Sequence, residues 1–159
     1  MIAPAAWRSP RVAFVASEYP PYVYGGLGTH VEALTAALAE RSVQVELFVP
    51  TRVGYKDPPP GVRLRLVPAR PPGSAESNAE FWVDFCSATL AHLDRLDVEI
   101  DLVHCHDWLS VLAGVGVQAQ RGVPLVFSVH LPQVAHPHAE LELLGLAAAD
   151  VSIVNSEAM

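Results

Sequence analysis

A succession of short, β-branched runs, separated mostly by segments of helical length, does more than any other feature to limit what this chain can become. Residues 11–17 (Arg-Val-Ala-Phe-Val-Ala-Ser), 100–105 and 124–129 are nearly free of charge, as strands buried on both faces must be. Residues 43–49 and 151–155 read as further strands, the former stopped by Pro50. Residues 62–67 (Val-Arg-Leu-Arg-Leu-Val) alternate apolar with basic, which marks one solvated face and a place near a sheet edge. Between the runs, Val31, Leu34 and Leu38 recur at helical spacing, with Glu32, Thr35 and Glu40 among them. Phe81, Trp82, Phe85, Leu90, Leu93 and Leu96 suit a helix over residues 79–96; residues 108–120 suit another, capped by Gly122, and residues 139–149 a last one. Strands alternating with helices build βαβ units. The expected fold is α/β, a doubly wound, mostly parallel sheet with helices on both faces, and residues 1–159 form one such domain.

Composition bears on partners more than on fold. Of 159 residues 51% are hydrophobic, enough for a folded core. The formal net charge of −7, with no cluster of Lys or Arg, argues against nucleic acid or an anionic membrane as partner. Residues 1–10 lack the apolar centre of a leader, and no run reaches the roughly eighteen apolar residues of a spanning helix. Cys86 and Cys105 form no C-x-x-C pair and fit a reducing compartment. A cytoplasmic location is expected.

Chemistry concentrates where strands end. Tyr22-Val-Tyr-Gly-Gly-Leu-Gly-Thr-His30 lies between the first strand and the first helix, at the carboxyl edge where ligands bind open α/β sheets. Gly25, Gly26 and Gly28 let backbone N–H groups approach a ligand, and the helix that follows presents its positive end. The spacing G-G-x-G is neither a G-x-G-x-x-G fingerprint nor a P-loop. Asp101-Leu-Val-His-Cys-His-Asp-Trp108 ends a second strand. There His104 reads as a core histidine and Asp107 as a cap for the next helix. His106 reads as a neutral imidazole facing the crevice, able to donate to a sugar hydroxyl or a developing charge. His130, at the tip of Phe127-Ser-Val-His130, is a crevice residue or a structural one, and His136 and His138 belong to the loop beyond. No metal is expected. Asp107 follows His106 directly with Trp108 next, and the later histidines are broken by prolines, with no carboxylate before Glu140. The glycine turn, His106 and His130 should line one cleft.

These stretches together resemble a known family. Ser17-Glu-Tyr-Pro-Pro-Tyr-Val-Tyr-Gly-Gly-Leu-Gly-Thr-His-Val31 is similar to the start of GT-B glycosyltransferases of the glycogen/starch synthase and family-4 group. Asp101 to Trp108 resembles their D-x-V-H-x-H-D-W segment, Val126-Phe-Ser-Val-His130 their T-x-H strand end, and Ala149-Asp-Val-Ser-Ile-Val-Asn-Ser-Glu-Ala-Met159 their A-D-x-V-I-x-x-S-E-x-M stretch. The resemblance implies the Rossmann-like N-terminal, acceptor-side half of a GT-B fold. It implies retaining transfer of a sugar from a nucleotide-sugar donor, UDP- or ADP-glucose-like, to a glycan or other hydroxyl acceptor, without metal or cofactor. By the same resemblance Gly25 and Gly26, with Leu27 and Gly28, sit against the donor diphosphate, and His106 contacts the transferred sugar. Glu18, Tyr24, Asp107 and His130, with loops 22–24 and 131–138, fall on the acceptor side of the cleft.

Glycogen-type synthases carry Lys two residues before the glycine pair and Asp after the turn. Here Val23 or Tyr24 and Thr29 stand there, which favours a broader family-4 enzyme. Ser42-Val-Gln-Val in place of Gly-His-x-Val is a structural change. The nucleotide-binding second domain of such enzymes does not fit within this chain, which ends at Ser156-Glu-Ala-Met159, where Ser156 is placed to cap a further helix. A truncated half-enzyme is therefore expected, inactive alone and prone to self-association through an uncovered apolar surface. The rival reading is a stand-alone binding module for a glycan or protein partner. A sugar epimerase would need strand-tip carboxylates, for which Glu18 is the nearest residue.

Overall fold

The computed structural model describes residues 8–69, 79–130 and 138–155. Its strands are β1 (Arg11–Val15), β2 (Gln44–Pro50), β3 (Val62–Val67), β4 (Leu102–His106), β5 (Leu125–Val129) and β6 (Val151–Val154). Its α-helices are α1 (Gly26–Glu40), α2 (Ala79–Arg95), α3 (Val111–Arg121) and α4 (Ala139–Ala148), with a 3₁₀ turn at Trp108–Ser110 before α3. All pairs are parallel, in the order β3-β2-β1-β4-β5-β6. This is the doubly wound arrangement, and its strand order reverses between β1 and β4.

The two faces are covered unequally. Val12 and Phe14 of β1 meet Val45, Leu47 and Val49 of β2 beneath Leu27 and Val31 of α1. Ala13, Val15, Val103 and Cys105 face the other way, under Phe85 of α2 and Val111, Ala113 and Val117 of α3. Period-two alternation along each strand makes this division. By register His104 lies beside Phe14, Val126 beside His104 and Val151 beside Val126, so these share the α1 side. Toward β6 that side is open: Val151 and Ile153 are 53% and 42% exposed.

The alternating run forms the edge strand β3, as its pattern requires. Its Arg63 and Arg65, with Arg11, surround the buried carboxylate of Glu46 at 3.3, 2.7 and 3.7 Å, so that charge is paired. Pro50 is the last residue of β2. Gly122, at φ +65°, ends α3 in the left-handed conformation glycine favours. Two boundaries differ from the sequence reading. α1 begins at Gly26, before the apolar periodicity starts, so the glycine pair is its cap and first residue. A 3₁₀ turn precedes α3 because Ser110 Oγ accepts from His106 N–H (2.8 Å) and donates to His106 O (2.7 Å), tightening the chain onto the strand tip. The suggested helix start at Ser156 and the loop histidine His136 lie outside the described residues.

Candidate functional site

A cleft of about 710 Å³ opens at the carboxyl ends of β1, β4 and β5, over the point where strand order reverses. One wall is backbone. Gly25 caps α1 with no side chain, and Glu18, from the loop after β1, takes over that task. Its Oε2 accepts from the N–H of Tyr24 (3.0 Å) and of Gly28 (3.2 Å). Gly28 is glycine for packing, since a Cβ there would meet Val23 Cγ2 at 2.7 Å. Gly25 and Gly26 are not. A Cβ at either meets nothing within 4 Å, and neither has a positive φ. Their N–H groups and that of Leu27 find no acceptor among the described residues, at the positive end of a fifteen-residue helix. Above them Tyr24 is 70% exposed, its hydroxyl accepting from Arg52 Nη1 (3.2 Å), with the Arg52 guanidinium 5.4 Å from its ring centre and 4.8 Å from that of Tyr22.

The floor is side chain, and almost all histidine. His106, the last residue of β4, is fully buried, between Phe14 and His104 (ring centres 4.5 and 4.3 Å away) and the cleft-lining His30 and His130 (5.8 and 5.2 Å). It was expected to face the crevice. It does not line the cleft, because the strand side it shares with His104 is the side over which the first turn of α1 closes. A hydrogen-bond chain assigns its protons. Asn155 Nδ2–H donates to His130 Nδ1 (3.1 Å), so His130 carries its proton on Nε2 and donates to His106 Nδ1 (3.0 Å). That leaves His106 Nε2–H a buried donor with no partner among the described residues. Desolvation by burial holds His30, His106 and His130 below the ordinary imidazole range and drives His104, whose Nε2 meets Ser128 Oγ at 2.8 Å, down to about 4. Glu18 opposes the shift at His130. The four rings are neutral at pH 7.

Asp107 ties floor to wall. It occupies the cap position of the 3₁₀ turn yet makes no cap bond there, contrary to the reading of it as a helix cap. Oδ1 instead accepts from His130 N–H (2.7 Å), joining the β4 and β5 tips. Its φ of 55° with ψ of 172° is a conformation that glycine, not aspartate, adopts readily. Such strain costs on the order of 1–3 kcal/mol and collects where a site needs a fixed group.

The sequence model of glycosyltransferase family 4 matches residues 24–159. The chain belongs to glycosyltransferase family 4. Among curated relatives, a D-inositol 3-phosphate glycosyltransferase of Nocardiopsis dassonvillei is 40% identical over 115 residues, covering 67% of this chain and 26% of the relative. The curated relatives it matches are much longer, and the chain spans about a quarter to a third of their length. Of solved structures, sucrose-phosphate synthase from Thermosynechococcus elongatus is similar with a TM-score of 0.72 at 22% identity, over 92% of this chain and 42% of that one. The catalytic domain of starch synthase IV from Arabidopsis thaliana, bound to ADP and acarbose, follows at 0.65 and 18%, over 77% of this chain and 34% of that one. These likenesses show the fold, a Rossmann-like N-terminal domain of GT-B type.

In this family-4 domain the cleft gathers Glu18, Tyr24, Gly25, Gly26, Leu27, Asp107 and His130 from the expected set. Gly28 lies just behind the wall, and His106 is buried within the floor without lining the cleft. The sequence reading missed His30, Asn155, Ser110 and Ser128. Ser128 and Ser110 had a signal: one is paired with His106 by strand register, the other lies four residues after it. Residues 131–137, most of the suggested acceptor loop, lie outside the described residues.

Proposed function

We propose that this domain is the acceptor side of a retaining glycosyltransferase. It moves a glucose-like sugar from a UDP- or ADP-activated donor to a glycan or other hydroxyl acceptor. The observation that carries this reading is the wall at Gly25 and Gly26. These glycines are required neither by packing nor by conformation, and they leave donor N–H groups at a helix start, where a diphosphate is well held. Gly25, Gly26 and Leu27 bind the leaving diphosphate, and Gly28 lets Glu18 shape the turn. The transferred sugar rests on the histidine floor. His106 Nε2–H is the free donor there, and its burial means that His30 or His130 must yield before it reaches a sugar oxygen. Tyr24, Glu18, Asp107 and His130 face the acceptor, and the transfer uses neither metal nor cofactor. The names of the relatives, glycosyltransferases of inositol 3-phosphate, and a similar structure bound to ADP point the same way.

A second nucleotide-binding domain completes the donor site, so residues 1–159 alone are inactive. The uncovered strand β6 also favours self-association of the isolated chain, which sedimentation showing a strict monomer at high concentration would refute. The test of function uses a longer polypeptide carrying this domain. It should release UDP or ADP from the sugar donor only when acceptor is present, with anomeric configuration retained by NMR. Inversion, or turnover by residues 1–159 alone, would overturn the reading.

A further inference from the structure

The floor of the cleft holds an arrangement that sugar transfer does not require. His30 comes from the first turns of α1, His106 from the end of β4 and His130 from just after β5. One ring nitrogen of each lies within 4.8 Å of those of the other two. His106 Nδ1 and His130 Nε2 are 3.0 Å apart. Two nitrogens bound at about 2.0–2.1 Å to one tetrahedral zinc ion stand about 3.4 Å apart. Two of the three are thus already near ligating separation, and the third closes by a modest ring movement. We propose that His30, His106 and His130 form a site for a single zinc-like transition-metal ion, with its fourth position open to the cleft.

The setting of the cluster supports it. The surroundings are built for rigidity: Phe14 and His104 back His106, and the Asn155 amide lies 3.1 Å from His130 Nδ1. Turning that amide over would present its oxygen to the proton that metal binding at Nε2 shifts to Nδ1. An all-imidazole donor set takes Zn²⁺, Ni²⁺ or Cu²⁺ and leaves Mg²⁺ and Ca²⁺ in water. The binding claim stands apart from the enzymatic reading. Only its consequence rests on that reading: an ion on the floor occupies the sugar's place and inhibits transfer.

The test titrates the 159-residue chain with Co²⁺ as the visible probe and then with Zn²⁺. One Co²⁺ per chain with the bands of a tetrahedral ion, displaced by Zn²⁺ and unaffected by excess Mg²⁺, is the expected result. His30→Gln, folded by circular dichroism, should weaken binding about tenfold or more. Zn²⁺ should also shift the imidazole NMR signals of His30, His106 and His130 in the unaltered chain, a readout that needs no variant. Absence of Co²⁺ bands, or binding at full strength in folded His30→Gln, would overturn the site. Nucleotide release by the longer polypeptide has no bearing on either result.

Discussion

The two sides of the cleft are made by opposite means. The wall at Gly25 and Gly26 is bare backbone in open space, shaped from behind by Glu18, and a Cβ at either position meets nothing within 4 Å among the described residues. The floor at His104, His106 and His130 is packed side chain, fixed by Ser128, Asn155 and Asp107, with His104 and His106 buried and His130 at the cleft surface. A region whose residues are explained by its own packing speaks to stability. A region whose residues are not so explained speaks to something outside the chain. The difference teaches where to look for function in this fold: the unexplained glycines carry it, and the floor beneath holds its geometry.

That contrast breaks most easily at the floor. His106→Ala removes a fully buried ring and strands the Nε2–H of His130, so it should cost about 2–4 kcal/mol in urea unfolding. An unchanged midpoint would mean that the floor is not a packed unit.

A gentler probe is pH. A histidine that burial holds neutral contributes stability that is full above the ordinary value of 6.5. As pH falls below it, the unfolded chain binds protons that the folded chain refuses. For His104 the loss runs from about 6.5 down to about 4, at about 1.4 kcal/mol per pH unit, and His106 and His130 add to it in the same direction. Thermal midpoints should therefore fall steadily from pH 7 to pH 5. A flat profile would show that the floor is wetter than its burial indicates.

The smallest effect belongs to the rim. Tyr24→Ala should leave stability within about 0.5 kcal/mol, because the ring is mostly exposed. It should raise KM for the acceptor with kcat little changed. A matching loss in kcat alone would move Tyr24 from the rim to the chemistry.

The sheet was readable because its strands and helices have periods. The uncharged runs, the alternation of β3 and the glycine after α3 each carry a local physical signature. The glycine wall was readable for the same reason, lying between a strand pattern and a helix pattern. The floor was not. His30 sits in a helical stretch where spacing marks Val31, Leu34 and Leu38, and nothing local tells that it meets histidines 76 and 100 residues later. Glu18 caps a helix from ten residues upstream, outside any capping-box spacing. The inward turn of His106 follows from parity with His104 and Phe14, but only once the β1–β4 register is known. Contacts of that kind are tertiary, and single-sequence periodicity does not encode them.

The measurement closest to the central claim is nucleotide release by a longer polypeptide carrying this domain, with and without Gly26→Val. Because a side chain there has open space and an ordinary φ, the thermal midpoint should hold while release of UDP or ADP falls about a hundredfold. Undiminished release from a folded Gly26→Val protein would contradict the account, for the wall would then be bare without being used.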